Sequence, residues 1–265
     1  MPTSTVNRDQ FLARLRESGL LPPDQFAPVY DIAASTDRGR VLARALVERG
    51  LLTRFQAEML LAGRTDGFVL GQYRILDQIG RGGMGRVFKA EHQTMNRVVA
   101  LKVLSGSLMR TDRAKQLFQR EVRAAARLTH PNIVTAYDAN QLGDRRYLVM
   151  EYVDGPNLQE LVQERGPLPV GQACEFVRQA ALGLQYAHEL GMVHRDIKPA
   201  NLLVQRVAPS GDCVVKILDF GLARLYAANS DELQNSDSLP AVEAAVMGTP
   251  DFLSPEQARD LHGVD

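Results

Sequence analysis

The sequence predicts an α+β fold in which a small all-α module precedes a β-rich segment and then a mainly helical one. Three observations support this order. Apolar residues recur at helical spacing within residues 1–66, alternating runs typical of strands follow from Tyr73, and a long helical period spans residues 173–190. Hydrophobic residues make up 45% of the chain, which is enough for a buried core.

Charge and cysteine content exclude several classes of protein. Lys plus Arg and Asp plus Glu number 31 each, so no basic field favours nucleic acid or an anionic membrane. Cys174 and Cys213 form no disulfide or zinc pattern, and we expect two reduced, mostly buried thiols. Without a signal-peptide pattern or an 18-residue apolar run, we expect a cytoplasmic protein, whose longer parent could be membrane-anchored beyond residue 265.

Residues 1–66 form the predicted helical module, and Ala62 to Gly67, at its C-terminal end, form the predicted linker to the next segment. Gly19 and Gly50 each follow a helical segment at the place of a C-cap, and the Gly-Leu-Leu triplets that they begin are offset by 31 residues. A duplicated helix-turn unit and chance similarity both remain open. We interpret the module as a docking or regulatory element; the alternative is that it only packs on the next domain.

A glycine-rich turn, Gly80-Arg81-Gly82-Gly83-Met84-Gly85, follows the first predicted strand. The G-x-G-x-x-G pattern alone is weak, because dinucleotide-binding folds also contain it. There the last glycine opens a helix, whereas here the alternating residues 86–90 predict a strand. A glycine turn between two strands can offer backbone N–H groups to phosphate oxygens, although a purely structural hairpin is the alternative.

Two charged residues are predicted to point inward. Lys102 lies in the apolar strand 98–104, and a buried lysine requires an anionic partner. Glu121 lies at the edge of the apolar face of a helix predicted from Thr111 to about Leu128. A surface position is the alternative for Glu121.

The residues with the strongest chemical signal are His194-Arg195-Asp196-Ile197-Lys198-Pro199-Ala200-Asn201, followed by Asp219-Phe220-Gly221. H-R-D-x-K-x-x-N followed by D-F-G is the pattern of a protein-kinase catalytic loop and its metal-binding Asp. Val99-Ala100-Leu101-Lys102 and Ser254-Pro255-Glu256 also match kinase motifs in the right order. The chain therefore resembles the serine/threonine protein kinase family, most closely its bacterial eukaryotic-like (Hanks-type) branch.

The resemblance implies a bilobal protein-kinase-like fold. Its N-lobe and hinge would span residues 73–153, and a partial C-lobe that includes the activation segment would span residues 154–265. The implied activity is transfer of the γ-phosphoryl group of ATP, with Mg²⁺, to serine or threonine hydroxyls of a protein substrate in signalling. A lysine two residues after Asp196 is typical of the serine/threonine branch.

The resemblance also implies roles for individual residues. Asp196 would accept or orient the substrate hydroxyl proton, and Lys198 would stabilise the γ-phosphoryl charge. Lys102 would pair with Glu121, and Asn201 and Asp219 would hold Mg²⁺. Val87, Ala100 and Leu203 would enclose the adenine ring. The full set of implied nucleotide-binding residues is Ile79, Gly80, Arg81, Gly82, Gly83, Met84, Gly85, Arg86, Val87, Ala100, Lys102, Glu151, Val153 and Leu203, with Glu151 and Val153 acting through their backbone.

The last part of the chain departs from the family. Residues 225–247 are acidic and contain three candidate phosphorylation sites, Ser230, Ser236 and Ser238. Only nine residues follow Glu256, so we expect either a fragment of a longer kinase or a C-terminally truncated copy. A catalytically weak or inactive nucleotide-binding scaffold is the alternative function of such a chain.

Overall fold

The computed structural model of the chain describes residues 6–82, 85–106, 111–143, 145–207, 211–220 and 250–256. It confirms the predicted α+β fold and the order of its elements. The helices are α1 (Arg8–Glu17), α2 (Phe26–Ala33), α3 (Gly39–Glu48), α4 (Arg54–Leu61), α5 (Asp112–Ala125), α6 (Leu158–Arg165) and α7 (Val170–Glu189). The strands are β1 (Val69–Leu70), β2 (Tyr73–Gly82), β3 (Gly85–His92), β4 (Arg97–Leu104), β5 (Ala136–Leu142), β6 (Arg145–Glu151), β7 (Leu202–Arg206) and β8 (Cys213–Ile217).

The chain divides into two compact units, Met1–Val103 and Leu104–Asp265. The first unit contains the helical module together with the strands that follow it, and the second contains the remaining elements. The domain bounds derived from the sequence, 1–66, 73–153 and 154–265, stay a prediction.

Helices α1 to α4 enclose an apolar core of their own. Phe11, Leu15, Leu42, Leu46 and Leu60 are completely buried there. Each pair of helices repeats one pattern, in which a helix ends near a glycine with positive φ, +65° at Gly19 and +70° at Gly50, and a second helix follows. Glycine adopts this left-handed conformation without the steric cost that a Cβ atom imposes. The predicted helix-turn units are present, and duplication and chance similarity stay the two alternatives for their likeness.

Strands β1 to β4 are neighbours in that order in the first unit. The antiparallel β2–β3 pairing runs from Tyr73 opposite His92 to Gly82 opposite Gly85, with irregularities between Ile75 and Asp77 and between Gln78 and Gly80. The alternating residues after Gly85 therefore form a strand, as predicted, and not the helix of a dinucleotide-binding unit.

In the second unit, α7 packs against the antiparallel hairpin of β7 and β8. The backbone of α7 comes close to β8 at Gly183, where a Cβ atom would lie 2.9 Å from Cδ1 of Ile217 and 3.1 Å from the carbonyl oxygen of Asn132. The apolar core around this contact contains Leu128, Ile133, Leu161, Phe176, Ala187, Val215, Ile217 and Phe220. Helix α5 ends at Ala125, slightly before the predicted Leu128, because the chain continues there in turns.

The burial of residues along α7 differs from one sequence prediction, that of two mostly buried thiols. Its buried residues, Phe176, Ala180, Gly183 and Ala187, form one narrow stripe. Cys174 lies outside that stripe and is exposed, so the expectation of mostly buried thiols is wrong for it, whereas Cys213 is half-buried; both are free thiols. Val177 also lies outside that stripe, and 66% of its surface is exposed.

Candidate active site

The segment 194–201 connects α7 to β7, and hydrogen bonds fix both of its ends. At the first end, the Met192 N–H donates to the Ala187 carbonyl, and Gly191 has a φ of +73°. At the other end, a single 3₁₀ turn over Pro199–Asn201 leads into β7, and the Leu218 N–H donates to the Asn201 carbonyl. The β7–β8 hairpin therefore brings the start of the Asp219 segment next to the end of the loop.

Three predicted residues of this loop meet at the Asp196 carboxylate. Nζ of Lys198 lies 2.9 Å from Oδ2 of Asp196. Nδ2 of Asn201 donates to the same oxygen at 3.0 Å and to the Asp196 carbonyl at 2.8 Å. Because a cation and an amide both bind Oδ2, the carboxylate is held in one orientation.

His194 is a buried part of the same network, with only 2% of its surface exposed. Its Nε2 donates to the Leu218 carbonyl at 2.6 Å, and its Nδ1 accepts from the Asp196 N–H at 3.2 Å. The edge of its ring meets Phe220, with 4.7 Å between ring centroids. Burial lowers the pKa of His194, against the opposing effects of the Leu218 hydrogen bond and the nearby Asp219 and Asp196 carboxylates. The neutral imidazole thus ties the loop to the Asp219 segment.

Two residues of the site have unusual backbone conformations. Arg195 has a φ of +68° and Asp219 a φ of +63°, values that side-chain-bearing residues seldom adopt. Each such residue costs about 1–3 kcal/mol and persists only where its surroundings determine it. His194 provides such surroundings, since it contacts residues on both segments.

The residues predicted to hold Mg²⁺ supply suitable ligand atoms. Asn201 and Asp219 carry oxygen ligands, which hard cations such as Mg²⁺ prefer. Both Asn201 contacts to Asp196 use Nδ2, so the amide is oriented with its oxygen available for a cation. The donor set therefore fits the metal that the sequence predicts.

Lys102 and Glu121 are both buried, each with 5% of its surface exposed. Lys102 lies on β4, and Glu121 lies on the inward face of α5, whose first turn is capped by the Thr111 hydroxyl. The inward orientation predicted for each side chain is therefore confirmed. The pairing of the two residues stays a prediction.

Of the glycine-rich turn, the structure describes Gly80 and Gly82 at the end of β2 and Gly85 at the start of β3. Gly80 pairs with Val87 and Arg81 with Arg86. Gly85 has a φ of +143°, a conformation that favours glycine, and a Cβ atom on Gly82 would meet nothing within 4 Å. Ile79, on β2 just before Gly80, is exposed. Gly83 and Met84, as well as Gly221 and the three candidate phosphoserines, lie outside the described residues.

At the end of β6, the side chain of Glu151 has contacts that the sequence did not predict. Its carboxylate lies 2.8 Å from Nζ of Lys216 and accepts from the Thr135 N–H at 3.2 Å. Lys216 stands in β8 opposite Leu203, which has been predicted to contact adenine. Val153 is buried just beyond the strand. The Glu151 N–H also donates to the Thr135 carbonyl at 2.9 Å, so only the backbone carbonyl of Glu151 is left to the predicted role.

Asn132 is a second residue that sequence reasoning missed. It is buried, and its Nδ2 donates to the Val215 carbonyl at 2.9 Å and to Oε1 of Gln179 at 3.1 Å. It therefore joins β8 to α7 beneath the loop. The preceding His130 stacks on Tyr186 with 5.2 Å between centroids, and burial lowers the pKa of His130.

The order of these elements is that of a known family. The family described as Protein kinase domain matches residues 73–262. The chain belongs to the protein kinase domain family. Members of this family generally use ATP with Mg²⁺ and act on protein substrates.

Individual kinases support the same assignment. The serine/threonine-protein kinase pkn3 of Myxococcus xanthus is 40% identical over 191 residues, which are 71% of this chain and 34% of that protein. PknB of Mycobacterium leprae is 41% identical over 192 residues, 71% of this chain and 29% of that protein. A crystal structure of the Mycobacterium tuberculosis PknI kinase domain has a TM-score of 0.51 and 34% identity, and the match covers 61% of this chain and 68% of that one.

The chain spans about a third of the length of the curated relatives it matches. None of the helices in the described ranges combines the length and the apolar character needed to cross a bilayer.

Proposed function

We propose that this chain is the catalytic part of a protein serine/threonine kinase, which transfers the γ-phosphoryl group of Mg-ATP to serine or threonine hydroxyls of proteins. The observation that carries the proposal is the arrangement at Asp196, whose carboxylate is held by Lys198 and Asn201. The bacterial kinases that the chain resembles carry serine/threonine specificity in their names.

The loop residues can divide the work of the reaction. Phosphoryl transfer requires positioning and neutralisation of charge more than covalent help. Asp196 would accept or orient the proton of the attacking hydroxyl, and Lys198 would offset the charge on the transferred group. Asn201 and Asp219 would hold Mg²⁺, which when bound supplies charge neutralisation at the phosphate oxygens.

For the nucleotide, we assign the contacts that the family pattern implies. Backbone N–H groups of the turn from Ile79 to Val87 would meet the phosphates, and Lys102, supported by Glu121, would meet the α- and β-phosphates. Ala100, Val87 and Leu203 would contact the adenine ring, and the backbone at Glu151 and Val153 would hydrogen-bond its edge. Burial of both Lys102 and Glu121 supports this assignment, because a buried charge requires a partner.

The proposal is tested by γ-phosphate transfer from Mg-ATP to a pool of serine- and threonine-containing peptides, with the 265-residue chain. Asp196→Asn is expected to lower the rate about 10³-fold, because a general base contributes about 10² to 10⁴. Lys102→Met is expected to lower it through loss of nucleotide positioning. Asp24→Asn, the same change at an exposed position in the helical module, is the matched control and should leave the rate unchanged.

Two results would contradict the proposal. Transfer that survives Asp196→Asn would remove Asp196 from the mechanism. Binding of Mg-ATP without any transfer by the unaltered chain would favour the alternative of a nucleotide-binding scaffold.

A further inference from the structure

The helical module contains one buried polar side chain that its own core does not explain. Gln56 on α4 is 3% exposed. Its Oε1 accepts from the Thr53 N–H at 2.9 Å, which completes a capping box at the start of α4. Its Nε2 donates to the carbonyl oxygen of Ile75 on β2 at 2.6 Å. The first hydrogen bond therefore caps the N-terminus of α4, whereas the second joins α4 to β2.

Strand β2 needs this contact at an irregular point of its ladder. Ile75 pairs with Ala90 and Asp77 with Lys89, so Leu76 has no partner residue on β3. The Thr53 hydroxyl donates to the carbonyl oxygen of Leu76 at 2.6 Å. Two consecutive carbonyl groups of β2 thus accept hydrogen bonds from the first turn of α4. A bulge bends a strand and changes its twist, so the residues that fix the bulge also fix the direction of the strand beyond it.

The same helix also reaches the other strand of the hairpin. The rings of Phe55 and Phe88 lie 6.5 Å apart between centroids with an interplanar angle of 57°. Phe88 stands on β3 opposite Gln78, and Gln78 precedes Gly80 by two residues on β2. Leu76 and Gly80 are four residues apart on β2, which is about 13 Å along the strand at about 3.3 Å per residue. Helix α4 is therefore fastened to both strands at the base of the glycine-rich turn.

We propose that Thr53, Phe55 and Gln56 are positioning residues, which hold the glycine-rich hairpin in the orientation needed to cover the nucleotide phosphates. The inference rests on the proposed kinase function, because it assigns the helical module control over nucleotide binding at that site. The alternative, in which the module only packs on the strands, predicts a loss of stability without a selective effect on nucleotide.

The decisive variant is Gln56→Glu in the full chain. Glutamate keeps the oxygen that accepts from Thr53, but it replaces the amide donor that faces the Ile75 carbonyl with a second acceptor. Gln10→Glu is the matched control, since Gln10 occupies the same place in the capping box of α1 and is exposed. Phe55→Leu is a second variant, which keeps an apolar helix face and removes the ring contact with Phe88.

Binding of Mg-ATP and steady-state kinetics provide the first readout. Gln56→Glu and Phe55→Leu are expected to raise the Kd and KM for Mg-ATP about three- to tenfold, the range expected from losing one buried hydrogen bond or a comparable contact. The kcat at saturating ATP should change less than KM. Gln10→Glu should leave both constants unchanged. If Gln56→Glu and Phe55→Leu stayed folded and lowered kcat without raising the KM or the Kd for Mg-ATP, the inference would be overturned.

Hydrogen exchange provides a second readout, which does not depend on activity. Amides of residues 76–82 and 85–88 should exchange faster in Gln56→Glu than in the unaltered chain, and Gln10→Glu should not change them. Unchanged exchange in this hairpin would overturn the inference. Should the unaltered chain bind no Mg-ATP, the proposed kinase function fails, whereas the exchange result still decides whether α4 holds the hairpin.

Discussion

The core of the helical module and the network beneath the catalytic loop differ in what is buried. Helices α1 to α4 enclose an almost entirely apolar cluster, in which Gln56 is an exception because it serves β2. Around the loop, His194, Asn201 and Asn132 are buried and each bonds to a backbone carbonyl. Packing tolerates small adjustments, whereas hydrogen bonds between buried groups specify one geometry. The stability of the module should therefore respond most to changes in side-chain volume, and that of the segment 194–201 to changes in polar groups.

The largest expected effect is the loss of volume in the module. Leu46→Ala, at a completely buried position on α3, should lower the free energy of unfolding by about 2–5 kcal/mol because it leaves a cavity. Urea unfolding followed by far-UV circular dichroism measures this change. Val41→Ala on the same helix is the control, since Val41 is 48% exposed and should change stability by less than about 0.5 kcal/mol. Equal effects of the two substitutions would contradict the description of this core.

A smaller loss is expected from a polar change beneath the loop. Asn132→Ala removes the side-chain donor to the Val215 carbonyl, whereas Oε1 of Gln179 still accepts from the Val215 N–H. The substitution should cost about 1–3 kcal/mol, because the Val215 carbonyl loses this donor. Asn140→Ala is the matched control at an exposed position on β5. Urea unfolding of both variants provides the comparison. If Asn132→Ala were as stable as Asn140→Ala, the buried amide would not hold β8 against α7.

The smallest effect concerns pH and His194. Burial lowers the pKa of His194 below its ordinary value of 6.5, so the unfolded chain binds a proton more readily than the folded one. Stability should therefore fall as the pH drops below about 6.5, with a slope of less than about 1.4 kcal/mol per pH unit from this group. His130 gives the same sign, because burial also lowers its pKa.

The contribution of His194 is isolated by comparing the unaltered chain with His194→Gln. Urea unfolding between about pH 5.5 and 7.5, on either side of the ordinary histidine pKa, should show a shallower pH dependence in the variant, whatever its absolute stability. Identical slopes would mean that His194 does not titrate differently on folding.

The sequence predicted what depends on local pattern. The helices of the module follow from apolar spacing, and the candidate catalytic residues follow from the motif H-R-D-x-K-x-x-N with its later D-F-G. The residue contacts that join distant parts of the chain could not be predicted in this way. Glu151 and Lys216 are 65 positions apart, and only the tertiary fold places their charges together. The exposure of Cys174 likewise depends on which narrow stripe of α7 meets β8, and a helical period in an apolar sequence does not specify that stripe.

Gln56 also makes a long-range contact that the sequence could not predict. Its position three residues after Thr53 indicates a capping box, a local feature that the sequence contains. The same side chain also reaches the Ile75 carbonyl, and nothing in the spacing distinguishes it from Gln10, which stays in solvent. Two identical residues in identical local roles thus differ only through what lies beyond their own helix.

Gly183 has a consequence for how the loop is held. Asn132 and Ile217, which a Cβ atom on Gly183 would strike, are joined to each other by the hydrogen bond from the Ile217 N–H to the Asn132 carbonyl. The loop leaves from the end of α7 and is tied back at Leu218, the residue after Ile217. Because Gly183 has no Cβ atom, α7 can pack closely against Asn132 and Ile217, and this packing determines the spacing between α7 and β8, the two elements that hold the loop of Asp196. Any side chain at position 183 would therefore push α7 away from β8 and change the distance between the two ends of the loop.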